Sequence, residues 1–177
     1  VACYWLSKNE QALADFEKAI ELDKKDARTY TALGVLYTKL AENEQNKKYI
    51  QLAQETYQKA ISINPNYPSS YYNLALLESD KHPKKALEHL NTYISLKKDA
   101  DGFLLRGIIY NDLKKFKEAI IDFDEALKLK NYDPQIYSEK AWALFKTTQT
   151  QEACKNWKKA QELGSTDVVT YLDKYCK

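Results

Sequence analysis

Five times in its 177 residues the chain repeats an alanine, a large side chain four positions later and a small residue three beyond that. The copies are Ala12/Phe16/Ala19, Ala53/Tyr57/Ala60, Ala86/Leu90/Tyr93, Ala119/Phe123/Ala126 and Ala153/Trp157/Ala160, and only Tyr93 breaks the small-residue rule. Successive first alanines stand 41, 33, 33 and 34 residues apart. A near-constant period of this length marks a repeat array, because a single unit of that size cannot bury its apolar face without a neighbour.

Between these segments runs a second series, an aromatic followed four residues later by Gly or Ala: Tyr30/Gly34, Tyr71/Ala75, Phe103/Gly107 and Tyr137/Ala141. Spacings of three, four and seven place residues on one helical face, so each period holds two helices. Turn signals separate the helices: NPNYP at 64–68, NYDP at 131–134, and Gly164 followed by STD. Pro68 and Pro134 stand where a first helical residue belongs, and Asp133 reads as an N-cap. Small residues let two backbones approach. The ring beside them fills the space and buries roughly 150–250 Å².

These residues resemble the tetratricopeptide repeat, an antiparallel helix pair of about 34 residues with a W-x2-L-G-x2-Y, A-x3-F, P pattern. The second repeat is nearly complete in Tyr30, Gly34, Tyr37, Ala53, Tyr57, Ala60 and Pro65. The third carries Glu78 at an aromatic site, and Arg106 and Lys140 replace a leucine in the fourth and fifth. The resemblance implies an all-α fold, an α-solenoid of antiparallel helix pairs wound as a right-handed superhelix. The expected organisation is a single domain over 1–177: a partial repeat at about 1–26, repeats at 27–67, 68–99, 100–133 and 134–167, and a C-terminal capping helix at 168–177. Gly34 to Ala53 is seven residues longer than Gly107 to Ala119, which predicts about one added turn on each helix of that hairpin. The first repeat lacks its first helix, so the chain is expected to be a fragment of a longer protein. The resemblance implies non-catalytic protein binding; an accessory domain of a larger enzyme or export machine is the alternative.

In each first helix, residues two before and one, five and eight after the aromatic point away from the buried stripe at about 100° per residue. In a superhelix they would line the concave side. The expected groove therefore holds Arg28, Thr31, Val35 and Thr38; then Tyr72, Leu76 and Ser79 with Asn73 alongside. Ser69 belongs to the same set, which continues through Asp101, Leu104, Ile108 and Asn111 with Leu105, then Gln135, Ser138 and Trp142 with Glu139. Tyr72, Leu76, Ile108 and Trp142 read as an apolar strip suited to an extended or helical peptide. Phe145, near a hairpin turn, is expected to pack inward. Family members that hold the C-terminal carboxylate of heat-shock chaperones use a clamp of Lys, Asn and Arg. Asn73 matches one clamp site, but Thr31, Val35, Asp101 and Leu105 occupy others, so a partner of that type is not expected.

Lys+Arg 27 against Asp+Glu 25 leaves a net charge of +2, too balanced for a nucleic-acid footprint. Lysine pairs such as Lys97–Lys98 fall where helices end and complement the helix dipole. No apolar run reaches the length of a membrane span. His82 and His89 have no metal-ligand spacing with Cys or carboxylates, and no phosphate loop or nucleophile elbow occurs, so no cofactor, metal or catalytic group is expected. DFDE at 122–125 reads as a solvated face around Phe123. Cys154 and Cys176 fall on the last repeat and the capping helix. The ending EAC-x2-W-x2-A-x2-LG…YC resembles the C-terminal ends of exported bacterial repeat proteins, which implies a Cys154–Cys176 disulfide and an exported, bacterial setting. Two buried, reduced thiols in a cytosolic protein is the other reading. Cys3 has no evident partner.

Overall fold

In a computed structural model of the chain, residues 2–44 and 46–177 are described, with side chains for 9–42 and 46–177. Cys3 lies outside the described side chains. Every element among the described residues is an α-helix, and the fold is an all-α helical-repeat solenoid. They fall into two compact units, 1–82 and 83–177.

The first unit contains α1 (Ala2–Leu22), α2 (Ala27–Glu44), α3 (Lys47–Ile63) and α4 (Pro68–Glu78). Asp26 opens α2 by accepting hydrogen bonds from the Arg28 amide (3.1 Å) and the Thr29 hydroxyl (2.8 Å). Asn46 opens α3 by accepting from the Lys48 amide at 3.0 Å. Carboxylate and amide caps of this kind satisfy donors that the first turn leaves free. The α2–α3 hairpin is the long one, 18 and 17 residues against 13 and 14 in the fourth repeat. The seven added residues have lengthened both helices, and Tyr37 stacks on Tyr49 at 6.0 Å within the hairpin. Tyr57 is buried and seated on Gly34, where an added Cβ would stand 2.5 Å from Tyr57 Cε1.

The second unit contains α5 (Pro83–Leu96), α6 (Ala100–Asp112), α7 (Phe116–Leu129), α8 (Pro134–Lys146), α9 (Thr150–Glu162) and α10 (Val169–Tyr175). Asp99 caps α6 by accepting from the Gly102 amide at 3.0 Å, and Asp133 caps α8 by accepting from the Gln135 amide at 3.0 Å. The same small-residue contact recurs here: Phe123 is fully buried between Ala119 and Ala126 and lies against Gly107. Its core also takes in Phe103, Leu104, Ile136 and Ala143. Trp157 plays the corresponding part between Ala153 and Ala160, with Ala141 and Val168 in the same cluster. Phe145 does pack inward, 5.7 Å from the Trp157 ring and 4.4 Å from Tyr175.

Helix α10 covers that last cluster. Tyr171 stacks on Trp157 at 5.2 Å, and Cys154 of α9 is joined to Cys176 by a disulfide. Seven residues cannot sustain an isolated helix, so α10 depends on these ring contacts and on the covalent tie.

Two departures from the family pattern carry their own compensation. Arg106 donates from Nε and Nη2 to the two carboxylate oxygens of Asp122, both at 2.7 Å, and from Nη1 to Asn91 Oδ1 at 2.7 Å. Lys140 of α8 pairs with Asp124 of α7 at 2.6 Å. The expectation that DFDE forms a solvated face is therefore corrected. Asp122 is 3 % exposed, and the segment answers the two basic residues that replaced leucines.

Candidate functional site

Within the first unit, α2, α3 and α4 enclose an open cavity of about 660 Å³. Five of the expected groove residues meet in its lining: Val35 and Thr38 from α2, and Asn73, Leu76 and Ser79 at α4. The lengthened hairpin extends the wall with Lys39 and Glu42 from α2 and Ile50 from α3. Leu76 is 50 % exposed, whereas Leu74 and Ala75 just before it are in the core. Tyr72 of α4 is half-buried and is not part of this lining, and Arg28 lies exposed at the start of α2, paired with Asp26 at 3.1 Å. Hydrogen bonds from Thr29 and Arg28 hold the Asp26 carboxyl below its usual range.

Within the second unit, a pocket of about 210 Å³ is lined by Asn111 and Asp112 of α6, Ser138, Glu139 and Trp142 of α8, and Trp157 and Tyr171. Ser138 and Glu139 also line an adjoining pocket of about 430 Å³, together with Gln135 and Asp167. Asn111 Nδ2 donates to the Glu139 backbone carbonyl and to Glu139 Oε2, each at 3.2 Å. Burial pushes the Glu139 carboxyl above its usual range, the nearby Asp112 charge adds to this, and the Asn111 hydrogen bond opposes it. The Trp142 ring lies 5.8 Å from Tyr171 and 6.2 Å from Phe145, with Lys146 Nζ over it at 4.3 Å.

Four expected groove residues, Thr31, Leu104, Leu105 and Asn111, are buried, and of these Asn111 lines the smaller pocket. Thr31 is 4 % exposed; its hydroxyl donates to the Ala27 carbonyl and is 2.7 Å from the Ser70 hydroxyl on α4. Leu105 is 8 % exposed and Asn111 is 7 % exposed. The helical-wheel rule treats each first helix as an isolated cylinder, whereas adjacent helices cover its flanks. Ile108 is half-buried against the Phe103 and Phe123 cluster. With Thr31 and Leu105 buried, two chaperone-clamp positions hold side chains that could not reach a carboxylate. Sequence reasoning missed Asp112, Asp167 and Tyr171. For Tyr171 a signal existed, since Tyr171 and Tyr175 share one face of the last helix at a spacing of four.

Family models described as TPR repeat and tetratricopeptide repeat match residues 2–40 and 50–78 and residues 100–133 respectively. A UDP-N-acetylglucosamine--peptide N-acetylglucosaminyltransferase from Giardia intestinalis is 34% identical over 68% of this chain and 8% of its own length. An Hsp70-Hsp90 organizing protein from Triticum aestivum is 31% identical over 96% of this chain and 29% of its own. The chain thus spans less than a third of the length of either relative. Among solved structures, PilF of Pseudomonas aeruginosa superposes with a TM-score of 0.78 at 22% identity, covering 92% of this chain and 72% of that one. YrrB, described as a TPR protein with an unusual peptide-binding site, gives 0.73 at 22% identity over 84% and 74%. At that identity both show a shared fold. Among the described residues no helix is long and apolar enough to cross a membrane.

Proposed function

The chain belongs to the tetratricopeptide-repeat family, a class of protein-interaction scaffold, and from that premise we propose that it is a non-catalytic module binding a peptide or protein segment through its first helices. The observation that carries this reading is the cavity of about 660 Å³ walled by Val35, Thr38, Asn73 and Leu76. Its half-exposed leucine offers an apolar contact. Asn73 offers a donor and an acceptor to a peptide backbone, and the Thr38 and Ser79 hydroxyls, which donate to the Gly34 and Leu76 carbonyls, offer acceptors. The reading does not include chaperone carboxylates, because the matching positions Thr31, Val35, Asp101 and Leu105 carry no positive charge.

A second reading is an accessory segment of a longer enzyme, favoured by the transferase relative, of which this chain matches a small repeat-bearing part. The Cys154–Cys176 bond favours an exported, oxidising setting over a reducing one.

The test is a random-sequence peptide panel screened against the wild type, Leu76→Asp and Asn73→Ala. The reading expects a set of related peptides bound by the wild type and lost in Leu76→Asp, with the unfolding midpoint unchanged. Peptides retained equally by wild type and Leu76→Asp would overturn it, as would a panel with no binder.

A further inference from the structure

We propose that the pocket between α6, α8 and α10 receives a basic side chain, arginine or lysine, from a bound peptide. This deepens the interaction reading above and rests on it, but it concerns a separate place in the fold. Three observations lead there.

The first is charge. Asp112, Glu139 and Asp167 line the two adjoining pockets, and neither lining contains a lysine or arginine. Glu139 forms no ion pair with a described residue; its hydrogen bonds come from the neutral Asn111. A carboxylate held partly out of water without a counter-charge is costly, and its raised proton affinity reports that cost. An incoming cation would remove it.

The second is an unanswered acceptor. Asn111 is nine-tenths buried and lines the pocket, and its amide nitrogen is committed to Glu139. Its Oδ1 has no donor. A buried acceptor without a donor is destabilising, so a ligand bringing an N–H group is favoured there. Lysine and arginine side chains carry donors, which answer the acceptors Glu139 and Asn111 Oδ1. Trp157 Nε1, a donor in the same lining that also lacks a partner, would still need an acceptor from the rest of the ligand.

The third is the aromatic wall. Trp142 and Tyr171 border the pocket; Lys146 already holds its ammonium over the Trp142 ring, so an incoming cation must displace it or use the rest of the aromatic wall. Rings of this kind attract cations most strongly where water is excluded. Carboxylate, amide oxygen and ring together suit a basic group, and the polarity is the reverse of a carboxylate clamp.

The experiment titrates the oxidised, full chain with N-acetyl-arginine amide, N-acetyl-lysine amide and N-acetyl-citrulline amide, the last a neutral isostere of arginine. Binding is followed by the Trp142 indole and Asn111 side-chain amide NMR signals. Saturable shifts are expected with the two basic probes, with citrulline at least about tenfold weaker, as loss of a charge-assisted hydrogen bond implies. Glu139→Gln and, as an independent variant, Asp112→Asn should each weaken the basic probes, whereas Leu76→Asp should leave them unchanged. Equal binding of arginine and citrulline probes, shifts that never saturate, or full affinity in both acidic-residue variants would overturn the proposal. Loss of peptide binding in Leu76→Asp alongside intact arginine-probe binding would separate the two sites.

Discussion

The sharpest test of the packing logic is Gly107→Ala. Two opposing effects are set against each other at one methyl group. In a helix interior, alanine is more favourable than glycine by about 1 kcal/mol. Against that, the new Cβ would stand 2.6 Å from Phe123 Cε1 and 2.9 Å from its Cδ1 and Cζ. Carbon atoms rest at about 3.5–4.0 Å, so the ring or the helix must retreat by about 1 Å. Phe123 is 0 % exposed and held between Ala119 and Ala126, which leaves the ring nowhere to go. Overpacking of this kind costs about 1–3 kcal/mol, so the net expectation is a loss near 1 kcal/mol. The assay is urea unfolding followed by helical circular dichroism, with hydrogen exchange of α6 and α7 amides to localise the loss. A shifted midpoint at constant slope identifies a change in stability. Repeating the substitution in a Phe123→Leu background makes room for the methyl group, and a coupling of about 1 kcal/mol is expected. If Gly107→Ala in the otherwise unchanged chain raised stability by the full helix-propensity gain, the close approach of backbone and ring would not be what this glycine serves.

Asp122→Ala should cost about 2–4 kcal/mol in urea unfolding, because it strands the largely buried Arg106 guanidinium, whereas Arg106→Leu with Asp122→Leu should fall within about 1 kcal/mol of the wild type. A double variant as damaged as the single one would show that the ion pair itself, rather than its desolvated charges, is needed. Thiol titration in denaturant without reductant should find one of the three cysteines reactive, and reduction should destabilise the last repeat by about 3 kcal/mol, seen as early exchange of α10 amides. For Glu139 the sign follows from its raised carboxyl: the folded chain holds the proton more tightly than the unfolded chain. Its destabilising charge is therefore fully present above the folded value and relieved as pH falls through that value towards the ordinary carboxylate range. Melting of Glu139→Gln against the wild type should show the variant's advantage shrinking as pH is lowered, and an advantage independent of pH would contradict this.

The periodic alanines and rings determined the helix pairs, and the longer 34–53 interval determined the lengthened hairpin. Both follow from spacing along a single helix, where i, i+4 and i+7 neighbours are set by backbone geometry alone. That small residues and rings recur in step was legible for the same reason, but which ring meets which glycine was not, since Gly107 and Phe123 lie on different helices. Exposure was not legible. Thr31 is covered by Ser70, 39 residues away, and Arg106 is answered by Asp122, 16 residues away. Neither distance belongs to any local period. The pocket at Glu139 likewise exists only because α10 folds back to bring Tyr171 beside Trp142. Local pattern chose the elements, and the free energy of covering their flanks, which depends on which helices become neighbours, chose the surfaces left for a partner.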